Sequence, residues 1–236
     1  MNIKGIASSS KGNCYILNDG QTNLMIECGV GLNRIRTEKI NPNTINAILV
    51  THEHKDHCKY WEQLYQYAPL YATKGTIDEI KKDAKKYIFQ YNLRAIDTEA
   101  PFKVGTFIIR AFKTEHDAVA PVGYYLYSTV TKERLLFATD TYFIRYRFDN
   151  LNYILIECNY KKEYLDANEN LPKSARIRLL KSHFELSNVC EFLKANDLTK
   201  VKEIYLMHLS TGNSNAAEFK KTIQELTGIP TYIFKE

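Results

Sequence analysis

The chain has 236 residues, of which 44% are hydrophobic and 25% are charged, and its formal net charge is +5. This composition is typical of a globular protein with a sizeable core, and it excludes disordered, collagen-like and low-complexity chains. The mild positive charge favours anionic partners but is too small for a dedicated nucleic-acid-binding protein.

Hydrophobic periodicity predicts a first half rich in strands. Strands are expected over residues 2–7, 13–18 and 22–27, with turn residues Asp19 and Gly20 between the last two. The elements predicted next, in chain order, are a helix over 32–39, a strand over 46–51, helices over 57–67 and 75–87, and strands over 106–113, 121–129, 134–139 and 152–158.

The last third of the chain alternates between the two kinds of element. The pattern predicts a helix over 185–196, a strand over 202–208, a helix over 215–227 and a strand over 230–234. Antiparallel strands early and α/β alternation late indicate a layered α/β fold. Because no repeat, linker or composition break divides the chain, we expect a single domain over residues 1–236.

The cysteines and the N-terminus indicate the compartment. Five cysteines without a C-x-x-C pair argue against a disulfide framework or a zinc ribbon, and suit a reducing environment. The N-terminus lacks the apolar segment of a secretory signal, and no apolar run approaches the roughly 18 residues of a membrane span. We therefore expect a cytoplasmic protein without a membrane-spanning segment.

Three of the six histidines fall within the segment THEHKDH, residues 51–57. The segment follows a predicted strand, so a loop there can direct His52 and His54 outward, while Asp56 and His57 begin the next helix and face back. Imidazole and carboxylate ligands suit zinc, and less selectively manganese or iron. The alternative interpretation is a polar loop that binds no metal.

Three further polar residues, His116, Asp140 and His208, each follow a predicted strand. Any one of them alone is ordinarily a surface or capping residue. Together with the histidine-rich segment they form a pattern, because ligands that converge from several strand ends are held rigidly by the sheet. The pattern predicts a metal site at one edge of a sheet.

The motifs THEHKDH, TEHD, ATDT and MHLS, in this order and at these distances, resemble the metallo-β-lactamase superfamily over essentially the whole chain. The opening strands, around Gly12 and Asn13 and up to Glu27, fit the same resemblance, although the superfamily often has Asp where this chain has Glu27. The resemblance implies an αββα sandwich, with two mixed β-sheets packed face to face, helices on both outer sides and metals at one sheet edge.

The resemblance also implies two divalent ions, zinc with manganese as the alternative, and a metal-bridging hydroxide that attacks the substrate. The implied ligands are His52, His54 and His116 for the first ion, Asp56, His57 and His208 for the second, and Asp140 bridging both. Asp56 is further expected to orient the attacking hydroxide. Glu53, Glu115 and Asp117 are candidates for fixing the orientation of the imidazoles.

The segment SHFELS, residues 182–187, followed by HLS at residues 208–210, resembles the phosphodiesterase branch of the superfamily. That branch contains tRNase Z, PhnP-like and YycJ (WalJ)-type proteins and small relatives encoded by phages and mobile elements. The missing export signal disfavours secreted β-lactamases, and His54 disfavours flavodiiron proteins, which have Glu there. No counterpart of the flexible arm of tRNase Z is evident, which disfavours tRNA processing.

His183 has two interpretations. As a catalytic residue it would donate a proton to the departing alkoxide or bind a phosphate oxygen. As a structural residue it would be a polar group at the start of a helix, where serines also cap. Tyr142, Arg145 and Tyr146, soon after Asp140, are candidates for lining the cleft.

These observations predict a dinuclear-metal hydrolase that cleaves phosphodiester bonds in DNA or RNA. Three basic groups support a polyanionic substrate modestly. They are Lys81, Lys82, Lys85 and Lys86; Arg145 and Arg147; and Lys173, Arg176, Arg178 and Lys181. One alternative is a small-molecule hydrolase of the same fold that acts on a cyclic nucleotide, a thioester or a lactone. Another is a nucleic-acid-binding or regulatory protein with structural metals.

Overall fold

The computed structural model describes residues 1–82, 84 and 90–234. Its strands form one sheet of six strands and one of seven, and both sheets mix parallel and antiparallel neighbours. The prediction of an α/β fold with two mixed β-sheets is therefore confirmed. The chain divides into two compact units, the first formed by Met1–Lys113 and Ala118–Lys132, the second by Thr114–Asp117 and Glu133–Phe234.

The first unit opens with three antiparallel strands close to their predicted positions. They are β1 (Asn2–Ser9), β2 (Gly12–Asn18) and β3 (Asn23–Ile26). Between β2 and β3 the backbone N–H groups of Gln21 and Thr22 donate to Oδ1 of Asp19, at 3.1 and 2.9 Å. Gly20 has φ +95°, a conformation that favours glycine, so the turn residues fix the hairpin.

Three parallel strands complete the six-stranded sheet: β4 (Ala47–Leu49), β5 (Leu70–Thr73) and β6 (Leu93–Ile96). Among the described residues of this unit, four α-helices accompany them: α1 (Leu32–Thr37), α2 (Lys55–Cys58), α3 (Trp61–Leu64) and α4 (Lys74–Lys82). Two short 3-10 helices, Pro42–Thr44 and Gln90–Asn92, precede β4 and β6. β5 and β6 were not predicted, because four residues are too few to establish a period. α4 was predicted to extend to residue 87, but Ala84 is not helical; residues 83 and 85–87, with Lys85 and Lys86, lie outside the described residues.

The prediction of one helix over residues 57–67 is wrong, because the segment forms the two short helices α2 and α3. Tyr60 lies between them, and its backbone N–H donates to the carbonyl of Cys28 at 3.0 Å instead of continuing the helix. The N–H of Cys28 in turn donates to the carbonyl of His57 at 2.7 Å. These two hydrogen bonds attach α2 to the residues that follow β3.

Three antiparallel strands form a second layer of the first unit: β7 (Phe102–Val104), β8 (Phe107–Lys113) and β9 (Val122–Ser128). In β8, Phe107 and Ile109 are buried while Ile108 and Arg110 are exposed, the alternation of a strand with one face on the core. The hydroxyl of Tyr124 in β9 donates to the carbonyl of Val50, directly after β4, at 2.6 Å.

The second unit is built on four parallel strands: β10 (Arg134–Ala138), β11 (Tyr153–Glu157), β12 (Glu203–Met207) and β13 (Thr231–Ile233). Every residue of β11 is buried, which explains its continuous apolar sequence. Because the strands are parallel, their carboxyl ends lie at one edge, and Asp140, Glu157 and His208 all occur there.

The helices of the second unit are α5 (Lys162–Ala167), α6 (Lys173–Ser182), α7 (Leu186–Lys194) and α8 (Ala216–Thr227). The predictions of α7 and α8 are confirmed. α5 and α6 were not predicted; in α6 only Ser182 is buried, so its sequence lacks the apolar stripe that periodicity detects. Across the described ranges, no helix has both the length and the apolar character needed to cross a membrane.

Candidate metal centre

The histidine-rich segment of the first unit brings four predicted ligands into one small volume. Nε2 of His52 lies 3.1 Å from Nδ1 of His54, and the rings of His52 and His57 have centroids 4.2 Å apart. Oδ2 of Asp56 lies 3.2 Å from Nε2 of His57. The side chain of His57 is fully buried, while that of Asp56 is 20% exposed. Three imidazoles and one carboxylate therefore share one site at the end of β4.

A buried carboxylate, Glu27, lies behind these imidazoles. Its Oε1 accepts a hydrogen bond of 2.5 Å from the hydroxyl of Thr51, which also lies 2.9 Å from Nδ1 of His52. The same Oε1 is 3.5 Å from Nδ1 of His57. Burial raises the pKa of Glu27, and attraction to His57 only partly opposes it. Glu27 and Thr51 thus connect two of the rings and fix their orientation.

Asn13 was not assigned a role in the site from sequence, yet its buried side chain contacts two predicted ligands. Its Nδ2 donates to Oδ2 of Asp56 at 3.3 Å and lies 3.3 Å from Nε2 of His57. The same amide donates to the carbonyl of Ser9 at 3.0 Å, which anchors it to the end of β1. The only signal in the sequence was the resemblance around Gly12 and Asn13.

The second unit gathers the other three predicted ligands. Nε2 of His116 is 3.6 Å from Oδ2 of Asp140, and Nδ1 of His208 is 3.5 Å from Oδ1 of the same carboxylate. All three side chains are at most 4% exposed. Asp140 and His208 have φ of +45° and +51°, unfavourable conformations for residues other than glycine. Such strain directly after a strand is a common mark of a functional site.

His116 is oriented by the backbone. Its Nδ1 lies 2.9 Å from the carbonyl oxygen of Ser182, an acceptor, so Nδ1 carries the proton and Nε2 faces Asp140 with its lone pair. Burial lowers the pKa of His116, although the Asp140 charge opposes this, and the neutral ring is the form that binds a metal. A neutral, backbone-anchored imidazole beside a carboxylate fits a divalent ion.

The predicted catalytic residue His183 lies beside this group. Its Nδ1 donates to Oε1 of Glu157 at 2.6 Å. Asp140, Glu157, His183 and His208 each offer a ligand atom within 4.8 Å of the others. Glu157 was not predicted, because it reads as the last residue of an apolar strand. It is fully buried, and its Oε2 also accepts hydrogen bonds from the backbone N–H groups of Thr141 and Phe184.

His183 and Glu157 stabilise each other in their charged forms. Burial alone lowers the pKa of His183, but the Glu157 carboxylate outweighs it, so that the pKa lies above its usual value. Burial alone raises the pKa of Glu157, but the attraction of His183 outweighs it, so that the pKa lies below its usual value. The side chain of His183 is 19% exposed while that of Glu157 is fully buried, so the proton-carrying ring is the accessible partner.

Two of the three candidate supporting carboxylates contact the second unit's own residues. Glu115 pairs with Arg145, and Asp117 lies 3.5 Å from Nε2 of His116 and pairs with Arg178. Glu53, in the first unit, accepts a hydrogen bond from the backbone N–H of Val119 at 2.8 Å. The group around His52 in the first unit and the group around Asp140 in the second both carry the imidazole and carboxylate ligands of divalent-metal sites.

Comparison with known proteins identifies the family of the chain. The sequence profile described as "Beta-lactamase superfamily domain" matches residues 22–209. The chain is 28% identical to the exodeoxyribonuclease YycJ of Bacillus anthracis and 29% identical to the exodeoxyribonuclease WalJ of Streptococcus pneumoniae. Both alignments cover 89% of this chain, and they cover 82% and 81% of those proteins.

The fold is also that of a solved structure. The metallo-β-lactamase-fold protein YhfI from Bacillus subtilis superposes with a TM-score of 0.72 at 15% identity, covering 99% of this chain and 96% of YhfI. The resemblance predicted from the four motifs is therefore confirmed, and the fold with its His and Asp clusters implies divalent-metal binding. Since the matching profile covers most of the chain, this protein belongs to the β-lactamase superfamily, in the metallo-β-lactamase fold.

Proposed function

We propose that this chain is a metal-dependent hydrolase that cleaves phosphodiester bonds in DNA or RNA. Its superfamily membership supports this, as does its similarity, over 89% of its length, to two proteins named exodeoxyribonucleases. The observation that carries the proposal is the hydrogen bond between His183 and Glu157. It provides a proton donor beside Asp140 and His208, where a departing oxygen needs one.

The proposed ions are two, zinc first and manganese as the alternative. The ligand assignment follows the order of the motifs along the chain: His52, His54 and His116; Asp56, His57 and His208; and Asp140 shared. Ions bound there would lower the pKa of a water ligand and polarise a phosphoryl oxygen. The local groups around His52 and around Asp140 support the assignment, because each presents imidazole and carboxylate atoms a few ångströms apart.

Asp56 has a second proposed role, in orienting the attacking water. Its Oδ2 is held by Asn13 Nδ2 and lies 3.2 Å from His57, so the carboxylate has a fixed direction. Because Asp56 is 20% exposed, it can accept a hydrogen bond from a water that approaches the site. A fixed acceptor of this kind positions the nucleophile without moving during the reaction.

His183 is the proposed general acid, and Glu157 is its positioning residue. Glu157 accepts from Nδ1 of His183, so Nε2 of the ring is the atom that delivers a proton to the leaving oxygen. Because Glu157 also accepts two backbone N–H groups, it cannot turn away from the ring without breaking those bonds. The pair resembles the orientation of a catalytic imidazole by a buried carboxylate in other hydrolases.

The first test measures metal content and cleavage together. We expect about two divalent ions per chain, and cleavage of labelled DNA or RNA oligonucleotides, single- and double-stranded. His54→Ala and Asp140→Ala should lose metal and cleavage, whereas Asp97→Ala, an exposed carboxylate in a turn, should keep both. Two ions without polymer cleavage, but with hydrolysis of a cyclic nucleotide, thioester or lactone, would move the assignment to the small-molecule alternative.

The proposal includes a single catalytic domain over residues 1–236 and a cytoplasmic location. The profile match spans residues of both compact units, which supports one domain. All five cysteines are free thiols and four of them are buried, an arrangement suited to a reducing compartment. Limited proteolysis of the holoprotein and cell fractionation test these two points; separable active fragments or an exported pool would contradict them.

A further inference from the structure

The residues directly after Asp140 form an exposed aromatic and basic loop. Tyr142 is 40% exposed and Phe143 is 51% exposed. Thr141 and Ile144 on either side are buried and anchor the loop. The side chains of Arg145 and Arg147 are also exposed. We call residues 141–147 the aromatic loop; two adjacent exposed aromatic rings form an apolar patch of the kind that marks a binding site.

The helix α6 is also basic and exposes apolar side chains. It carries four cationic residues and no Asp or Glu over Lys173–Ser182. Two of its three large apolar side chains, Ile177 and Leu180, are 54% and 43% exposed, Leu179 is half-buried, and only Ser182 is buried. A helix that fully buries none of its large apolar side chains gains little stability from packing. Its charge makes a polyanion the natural occupant of its outer face.

Residues 115–117 hold the aromatic loop and α6 together. The N–H of Tyr142 donates to the carbonyl of Glu115 at 3.1 Å, and Arg145 pairs with the Glu115 carboxylate. Nε of Arg178 lies 2.5 Å from Oδ2 of Asp117. Because two residues of chain span at most about 7 Å, both attachments lie close to one another. The residue between them, His116, is a predicted metal ligand bonded to Ser182 at the end of α6.

These ion pairs leave the arginines available to a ligand. Arg178 uses Nε for Asp117, so its two terminal nitrogens remain as donors, and its side chain is 60% exposed. The side chain of Arg145 is 60% exposed in the same way. The carboxylates therefore fix the direction of the guanidinium groups without covering them.

We propose that the aromatic loop and α6 bind an unpaired stretch of the nucleic-acid strand next to the scissile phosphate. Bases stack on Tyr142 and Phe143, while Arg145, Arg178 and Lys181 contact phosphates. This inference rests on the proposed function and adds the form of the substrate. Aromatic rings interleaved with cations are how proteins hold single strands, because every base has a face to stack and every nucleotide a charge. Inside a duplex, the faces of each base are covered by the bases stacked above and below it.

Binding is tested with a non-cleavable phosphorothioate single strand of about 12 nucleotides, on the metal-loaded protein, by fluorescence anisotropy. Replacing both rings, as Tyr142→Ala with Phe143→Ala, should weaken affinity about ten- to a hundredfold. Tyr142→Phe, which keeps the ring, should bind like wild type. The matched control is Tyr232→Ala, a tyrosine 43% exposed on the terminal strand β13 of the same unit, whose removal should leave affinity unchanged.

The basic helix is tested through salt dependence. Each lost phosphate contact should reduce the slope of log affinity against log salt by about 0.7 for a single strand, so Arg178→Ala with Lys181→Ala should reduce it by about 1.4. Lys220→Ala with Lys221→Ala on α8 is the control, and its slope should equal that of wild type. Circular dichroism confirms that each variant is folded, as expected for exposed side chains.

The outcomes separate this inference from the proposed function. Suppose that wild type binds metal and cleaves DNA or RNA, yet the double aromatic variant binds a single strand as wild type does. The proposed binding of a single strand by the aromatic loop is then wrong, and the proposed function stands. Tighter binding to a blunt duplex, or to anionic vesicles, than to the single strand would also overturn it. If wild type hydrolyses no phosphodiester, including bis-p-nitrophenyl phosphate, the proposed function fails first.

Discussion

Gly29 lies against the backbone of Asp56 with no room for a side chain between them. A Cβ added at Gly29 would be 1.7 Å from the carbonyl oxygen of Asp56 and 2.6 Å from the backbone nitrogen of Asn13. Both contacts are to backbone atoms, which cannot rotate away. The close approach of these two chain segments therefore sets the position of Asp56, a predicted ligand with a proposed second role in orienting water.

Gly29→Ala should move this segment and lower both stability and metal content. We expect the free energy of unfolding to fall by about 3 kcal/mol, measured by urea denaturation, and the bound metal to fall in parallel. The control is Gly212→Ala, where the nearest atom to the new Cβ is a side-chain nitrogen of Asn168 at 3.4 Å. An unfolding curve for Gly29→Ala that matches the control would show that the structure places Gly29 wrongly.

Asn13→Ala should weaken metal binding while the chain stays folded. Its amide holds Asp56 and lies beside His57, and loss of such a supporting contact typically costs about 10- to 100-fold in metal affinity. Competition with a chromophoric chelator gives the affinity directly. Asn188→Ala, an exposed asparagine on α7, is the matched control. Equal affinities in the two variants would remove Asn13 from the site.

Glu157→Gln tests the proposed acid through the leaving group. Without the carboxylate, His183 is less well oriented and less often protonated, so kcat on DNA or RNA should fall about a hundredfold with little change in KM. Bis-p-nitrophenyl phosphate has a leaving group that departs without a proton, so its hydrolysis should fall much less. Glu163→Gln, exposed on α5, should leave both rates unchanged. An equal loss on both substrates would indicate a purely structural role.

What the sequence could and could not predict follows from the range of each interaction. Strands such as β11 and β12 were predictable because their burial produces continuous apolar runs. The candidate ligands stood out because histidine is rare in this chain and strand ends collect functional side chains; their assignment as ligands stays a prediction. Glu157 and Gly29 were invisible because their roles depend on residues 26 and 27 positions away, which no local pattern encodes.

The helix α6 was missed for a different reason. Periodicity detects helices by the stripe they bury, and α6 buries only Ser182, so its charges read as loop or solvated surface. The prediction of one continuous helix over residues 57–67 failed because the hydrogen bond from Tyr60 to Cys28, which ends α2, is a tertiary contact. The first error arises because α6 has no buried stripe to detect, and the second because the partner of Tyr60 lies elsewhere in the chain.

Asp19 gives a pH-dependent test away from the metal centre. Its Oδ2 accepts hydrogen bonds of 2.6 Å from Ser128 and Thr106, in addition to the turn bonds at Oδ1. Burial alone raises the pKa of Asp19, but the hydrogen bond from Ser128 and the others outweigh it, so the folded-state pKa lies below the usual 3.8. A lowered pKa means that the carboxylate stabilises the fold above pH 3.8, and that this contribution is lost as the pH falls through the folded-state pKa.

Asp19→Asn should therefore destabilise the protein by about 2 kcal/mol at pH 7, and the difference from wild type should shrink steadily below pH 4. Urea denaturation across this range measures it, and comparison between variants cancels acid effects common to all. Asp97→Asn is the control, because Asp97 accepts the same kind of turn bonds while exposed. A difference for Asp19→Asn that stays constant down to pH 3 would mean that its charge does not contribute.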